Sequence, residues 1–294
     1  MRLTLWKARK MMKAQNGNLN LAGMPITRLP KRLTVNGDLD LKNTQITELP
    51  KELSVSGFLE LWGTQITSLP EGLSVGGNLY LRNTPIKSLP KDLTVGGSLY
   101  LWRTQVTQLP EGLAVGGSLY LDETPITQLP ENLTVGGDLH LQYTQITSLP
   151  KGLSVGGNLE LWWTPITKIA EGLSVGGNLY LRNTPITSLP KGLAVGGALG
   201  LQNTLITNLP EGLSVGLDLD LEGTQVTELP KRLTVGGDLF LENMQIAELP
   251  NDLTVGGDLY LDERTLDLEM LSVLKSVSNI CRPSAESEAL EWGE

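Results

Sequence analysis

The chain repeats itself every twenty residues, and that period limits its architecture more than any other feature. "NLYLRNTPIKSLP" runs from Asn78 to Pro90, and "NLYLRNTPITSLP" runs from Asn178 to Pro190. Aligned on Leu-Pro, blocks begin at residues 31, 51, 71 and every twenty residues on to 251. A partial block, "GNLNLAGMPITRLP", precedes them from Gly17. The consensus is K/E-x-L-S/T-V-G-G-x-L-x-L-x-x-T-Q/P-I-T-x-L-P. A unit this short cannot bury its apolar side chains against itself, so successive units must stack.

Fixed apolar letters occupy block positions 3, 5, 9, 11, 16 and 19. The leucines at positions 9 and 11, such as Leu79 and Leu81, have the period of two of a short strand with one buried face. Stacked blocks would bring these strands about 4.8 Å apart in a parallel sheet. Gly-Gly at positions 6 and 7 predicts a tight turn into the strand, and proline at position 20 fixes φ on the return side. The connecting stretch, as in "LPKGLSVGG", holds proline and a glycine pair, which exclude a regular α-helix. The return is therefore expected to be extended, with short β or polyproline stretches.

Threonine fills block position 14 in ten consecutive blocks, from Thr44 to Thr224, with Met24 before the run and Met244 after it. This column predicts a ladder of buried hydroxyls satisfying backbone groups of the neighbouring coil, with an apolar residue where a neighbour is lost. Block position 1 alternates over Lys151, Glu171, Lys191, Glu211 and Lys231, which predicts a weak surface charge ladder. Residues 1–16, with Leu3, Leu5, Trp6, Met11 and Met12, read as an N-terminal cap over a repeat spanning 17–263. In residues 264–280, Leu266, Met270, Leu274 and Val277 have helical spacing behind Thr265, predicting a capping helix. Residues 281–294 are polar and acidic and read as a mobile tail.

The L-x-L-x-x-(N/T)-x-(I/L)-x-x-L-P core resembles the bacterial leucine-rich repeat of twenty residues, as in the effector proteins that pathogens inject into host cells. Two departures are visible. Threonine stands where the family usually has asparagine, and "VGG" replaces a second Leu-Pro. The resemblance implies a mainly β fold: a right-handed leucine-rich-repeat solenoid with a parallel concave sheet, an extended, non-helical convex side and short helical caps. It also implies a role in protein binding.

On such a sheet, block positions 8, 10, 12 and 13 face outward. These columns hold every aromatic residue outside the caps and tail. Trp62, Tyr80, Tyr100, Trp102, Tyr120, Tyr143, Trp162, Trp163 and Tyr180 are therefore candidate anchors for a partner. Cross-strand tyrosine ladders that merely stabilise the sheet are the competing reading. The same columns are acidic, and from Asp218 onward they carry no base; Asp218, Asp220 and Glu222 join the candidates. A protein partner with a basic, partly apolar surface fits best.

Other chemistries find little support. Net charge is −9, which disfavours nucleic acid. No apolar run is long enough to insert in a membrane. One cysteine, Cys281, and one histidine, His140, leave little material for metal or cofactor sites, and His140 reads as one more face residue. The Gly-Gly pairs lack the Lys-Ser/Thr and helix of a phosphate loop. Paired carboxylates on an open sheet lack the pocket that acid–base catalysis needs. The expectation is a non-enzymatic binding scaffold without cofactor or metal. It would be cytoplasmic, or secreted into a host cell without a cleaved signal peptide. A structural array without a dedicated partner, and carbohydrate binding on the aromatics, are the alternatives.

Overall fold

A computed structural model of the chain describes residues 2–246 and 248–261, and the backbone of 279–281. It comprises two compact units, Met1–Pro165 and Ile166–Glu294, each built from the same coil. Every full block from residue 31 on contributes two strands of two to four residues, and the partial block before them contributes one. Positions 9 and 10 form the first, as in Leu99–Tyr100 and Leu139–His140. Positions 4 and 5 form the second, as in Thr94–Val95 and Thr134–Val135. The return side is thus extended, as expected, and its short strands join into a second parallel sheet.

Both sheets pair in strict twenty-residue register within each unit. Leu119 lies opposite Leu99 and Leu139, and Val115 opposite Val95 and Val135. In the second unit Leu219 lies opposite Leu199 and Leu239, and Val215 opposite Val195 and Val235. In the first sheet, amides of positions 9 and 11 donate to carbonyls of the next coil, as Leu41 N does to Glu60 O at 2.9 Å. The six apolar positions close a core between the sheets: Leu133, Val135, Leu139, Leu141, Ile146 and Leu149 are all buried.

The glycine pair lies at the expected bend between the two strands, and crowding is a second reason for it. Neither glycine of the Gly136-Gly137 pair has a positive φ. A Cβ on Gly136 would lie 2.3 Å from Gly116 O of the preceding coil, and one on Gly157 would lie 2.2 Å from Asp138 Oδ1. Glycine is used where backbones of adjacent coils approach too closely for a side chain. Positive φ occurs elsewhere in the coil, chiefly at positions 2 and 13.

The threonine column is buried as expected from Thr44 to Thr204, but its hydrogen bonds stay within the coil. Thr144 Oγ1 donates to Leu141 O at 2.7 Å, and Thr44, Thr64, Thr84, Thr124, Thr164, Thr184 and Thr204 repeat the geometry. The reach to a neighbouring coil is not made, because the carbonyl three residues back lies nearer. Met244 is buried, whereas Met24 is exposed, so the apolar substitution holds at one end only. The alternating charges of position 1 also do not pair as expected. Glu211 meets Arg232 of the next coil at 3.3 Å instead, since the longer arginine reaches it from position 2.

At the N-terminus, helix α1 spans Leu5–Ala14, and Thr4 caps it by accepting from Lys7 N at 3.3 Å. Leu3 and Ala8 cover the first coil, and Leu3 N donates to Arg28 O. Trp6, expected in the cap, is 72% exposed with Lys10 Nζ over its ring. Trp6 lies two positions, about 200°, round the helix from the buried Ala8 and so faces away from the coil. Leu266, Met270, Leu274 and Val277 lie outside the described residues. The strand Asn279–Cys281 pairs in parallel with Asp258–Leu261, so the end assigned to a helix and the start of the tail form a further rung.

Candidate functional site

The first sheet presents four outward columns whose surroundings differ. Position 8 is the most inward-directed in its chemistry. Asp38 Oδ1 accepts from Phe58 N, Asn78 Oδ1 from Ser98 N, and Asp138 Oδ1 from Asn158 N, at 2.7 to 2.9 Å. Asp218 accepts from Asp238 N in the same way in the second unit. This column is an acceptor ladder that satisfies the amide left over by the glycine turn of the next coil. Sequence reasoning took it for a free acidic surface. The available signal was its narrow alphabet: Asn, Asp and Ser in all blocks but those of Phe58 and Ala198.

Position 10 carries a continuous aromatic stack. The rings of Tyr80, Tyr100, Tyr120 and His140 follow one another at centroid distances of 4.5, 4.4 and 4.3 Å, within 17° of parallel. Phe58 meets Tyr80 edge-on. In the second unit Phe240 and Tyr260 stack at 4.5 Å. Strand register dictates this spacing, and each ring is half-buried by its neighbours.

Position 12 alternates cations and indoles. Lys42 Nζ lies 4.2 Å from the Trp62 ring centre, and the Arg82 guanidinium lies between Trp62 and Trp102 at 5.2 and 5.9 Å. Arg103 also covers Trp102, at 5.3 Å. Further along, Gln142 is buried and donates to Glu160, which also accepts from Trp162 Nε1 at 3.2 Å. His140 Nδ1 lies 3.4 Å from the same carboxylate. Burial pushes the Asp122 carboxyl up to about 6 against the opposing pull of His140. Burial alone would lower the imidazole, but Glu160, Asp122 and Asp138 outweigh it and raise its pKa.

Position 13 is a turn, not a strand. Its φ is positive in coil after coil, and eight of its twelve occupants from Gly23 to Asn243 are Gly or Asn, which tolerate that region best. The four exceptions are consecutive: Arg103, Glu123, Tyr143 and Trp163. Arg103 Nε pairs with Glu123 at 2.9 Å. Tyr143 and Trp163, with φ of 57° and 60°, are 51% and 52% exposed. Their ring planes lie within 7° of parallel at a centroid distance of 6.4 Å, and Trp162 meets Tyr143 edge-on at 5.5 Å.

The predicted aromatics of the first unit therefore do share one face, but in three separate arrangements. Tyr180, at position 10 of the second unit, is half-buried, and its hydroxyl accepts from Asn178 Nδ2. Asp220 accepts from Glu222 N and from Gln202, and burial raises its carboxyl. Glu222 is exposed and accepts from Asn243 at 3.2 Å. No group of three or more potential ligands that could hold a metal occurs among the described residues. No helix among them is long and apolar enough to cross a membrane.

Among solved structures, YopM from Yersinia enterocolitica WA-314 matches with a TM-score of 0.50 at 19% identity, over 87% of this chain and 68% of that one. The fold is a leucine-rich repeat solenoid. A structure of YopM from Yersinia pestis, described as a leucine-rich effector protein, also matches, at 15% identity and a TM-score of 0.37, over 94% of this chain and 91% of that one. No family model matches the sequence, and neither does any curated protein. Within this leucine-rich repeat solenoid, the departures seen in sequence have local causes. Threonine replaces asparagine because its hydroxyl caps a carbonyl of its own coil. The "VGG" segment replaces Leu-Pro because adjacent coils touch there.

Proposed function

We propose that the chain is a protein-binding scaffold, with the cluster of Tyr143, Trp162 and Trp163 as the anchor of its first-sheet face. The observation that carries this reading is the left-handed backbone at Tyr143 and Trp163. Placing a bulky side chain there costs roughly 1–2 kcal/mol each. The rings return little packing, since half of each faces solvent. Exposed aromatics at strained positions are what hot spots of an interface need. Trp62, Tyr80, Tyr100, Trp102 and Tyr120 form an ordered flank that need not be immobilised on binding. In the second unit, Glu222 is exposed and offers attraction to a basic partner, whereas Asp218 and Asp220 are engaged in hydrogen bonds of the coil. The likeness to effector solenoids supports a host-cell protein as that partner, without enzymatic chemistry in the chain. The half-buried stack from Tyr80 to His140 favours, for its own column, a role in holding the sheet together.

The test is a double change, Tyr143→Asn with Trp163→Asn, compared with the unchanged protein in capture from host-cell lysate. Asparagine is what the chain itself places at this turn in five other coils, so the fold is retained. Captured species should be lost with the urea midpoint undiminished. Identical capture by both proteins would remove the anchor from the proposal.

A further inference from the structure

The chain uses its tryptophans in two ways. Trp62 and Trp102 each have a cation of the chain's own over the ring: Lys42 and Arg82 for one, Arg82 and Arg103 for the other. Their π-faces are already served. Tyr143, Trp162 and Trp163 are different. Within residues 2–165, no lysine or arginine lies over any of the three rings.

The charge around them differs as well. In the three coils that contain and precede the cluster, positions 8, 10, 12 and 13 hold four carboxylates, Asp122, Glu123, Asp138 and Glu160, with no lysine or arginine. The three coils from residue 31 to 90 hold Asp38, Asp40 and Glu60 in those columns, with Lys42 and Arg82 beside them. Glu160 lies against the cluster directly, because Trp162 Nε1 donates to it. The contact fixes the indole and keeps a negative group beside its edge. Electron-rich faces open to solvent, next to carboxylates and with no lysine or arginine over them within residues 2–165, form an incomplete version of the arrangement the chain completes at Trp62 and Trp102. His140 approaches Glu160 but not the rings of the cluster.

We propose that the Tyr143–Trp162–Trp163 cluster is a cation site that takes an arginine side chain of a protein partner. Arginine fits better than lysine. Its planar guanidinium stacks on an aromatic face and sheds water more readily than an ammonium. The near-parallel, half-exposed rings of Tyr143 and Trp163 offer such faces, and Arg82 between two indoles is the same contact made internally. The inference rests on the reading of this face as a protein-binding surface, and it specifies the chemistry of the anchor.

The test uses the full chain with a blocked Gly-Arg repeat peptide of four arginines as probe. Its citrulline counterpart keeps the planar shape and loses the charge. Binding is followed through the indole N–H resonances of the six tryptophans. The arginine peptide should shift the signals of Trp162 and Trp163 first, with Trp62 and Trp102 moving less. The citrulline peptide should bind roughly tenfold more weakly. Tyr143→Asn with Trp163→Asn should abolish the localised shifts. Equal binding of the two peptides, or shifts spread evenly over all tryptophans, would overturn the proposal. If lysate capture depends on Tyr143 and Trp163 while the peptides show no preference, the arginine assignment fails and the binding surface stands. If capture is indifferent to both residues, the broader reading fails first.

Discussion

Thr104 and Thr144 occupy the same block position two coils apart, both essentially buried, yet the structure gives their hydroxyls opposite roles. Thr144 Oγ1 donates to Leu141 O at 2.7 Å. Thr104 Oγ1 is buried and has no partner. Valine in place of either exchanges a hydroxyl for a methyl at nearly constant volume, so cavity terms stay small. At position 144 the change removes one neutral hydrogen bond, worth about 1 kcal/mol net. The carbonyl is not stranded, because Leu141 O still accepts from Thr144 N at 3.2 Å. At position 104 the change removes no bond and relieves a buried unsatisfied group, which costs about 1–3 kcal/mol. Thr144→Val should therefore destabilise by about 1 kcal/mol, and Thr104→Val should stabilise by at least about as much. The gap of about 2 kcal/mol is roughly thirtyfold in the folding equilibrium. Urea unfolding gives the midpoints. Exchange of the amides at residues 104 and 144 reports each coil separately, which matters because repeat arrays can depart from two-state behaviour. Equal shifts of the same sign would show that the two hydroxyls are equivalent and that the bond to Leu141 carries no net stability.

Three other perturbations test different parts of the coil. Gly136→Ala places a Cβ 2.3 Å from Gly116 O, whereas Gly152→Ala meets nothing within 4 Å and only strains a φ of +68°. The first should cost about 2–3 kcal/mol and the second about 1, by thermal or urea unfolding; the reverse order would refute coil crowding. Asp138→Ala removes the acceptor of Asn158 N and should cost about 1–3 kcal/mol, while Asp138→Asn keeps an acceptor and should cost little. A similar loss in both would assign the effect to charge instead. Asp122 has a folded pKa raised by burial to about 6, above the usual 3.8. The folded chain holds that proton more tightly, so this contribution is complete below about pH 4 and is lost as pH rises through 6. Asp122→Asn should therefore gain up to about 3 kcal/mol over the native chain at pH 7 and little at pH 4. An equal difference at both pH values would contradict the buried carboxyl.

What was legible in the sequence was whatever the repeat constrains in every coil. Leu139, Leu141 and Ile146 had to be inside because a period of two and a fixed turn leave no other side for them. The tyrosines at 80, 100 and 120 had to share a face for the same reason. What escaped were contacts between coils, which depend on distances that a one-dimensional pattern does not carry. Gly136 reads correctly as a bend residue, but its 2.3 Å approach to Gly116 O cannot be read from the pattern. Asp138 and Asp218 read as free charge until the amide twenty residues on is found beside each. The threonine column was placed correctly and paired wrongly, because burial is periodic but the choice between two nearby carbonyls is a matter of ångströms. Position 13 was grouped with the strand because its four consecutive exceptions, Arg103, Glu123, Tyr143 and Trp163, vary as strand-face residues do. The φ values separate it, and the Gly or Asn in its other eight coils was the signal available in the sequence.

That separation also distinguishes aromatics that hold the coil together from aromatics that do not. Tyr80, Tyr100 and Tyr120 stand on extended backbone, where ring-bearing residues are at ease, and stack near 4.5 Å with much of their surface covered. Each contributes to the stability of its own coil and needs no other reason to be there. Tyr143 and Trp163 stand on left-handed backbone, where asparagine or glycine would be cheaper. Their ring centres lie 6.4 Å apart, Trp162 meets Tyr143 only edge-on, and half the surface of each is wet. Arg103 and Glu123, on the same strained turn, at least pair with each other. Within one sheet, then, the same residue types meet two energetic regimes one column apart. In the first regime the side chain repays its coil. In the second it costs the coil more than the visible contacts return, and that imbalance is what supports an external partner at Tyr143 and Trp163 rather than anywhere along the tyrosine stack.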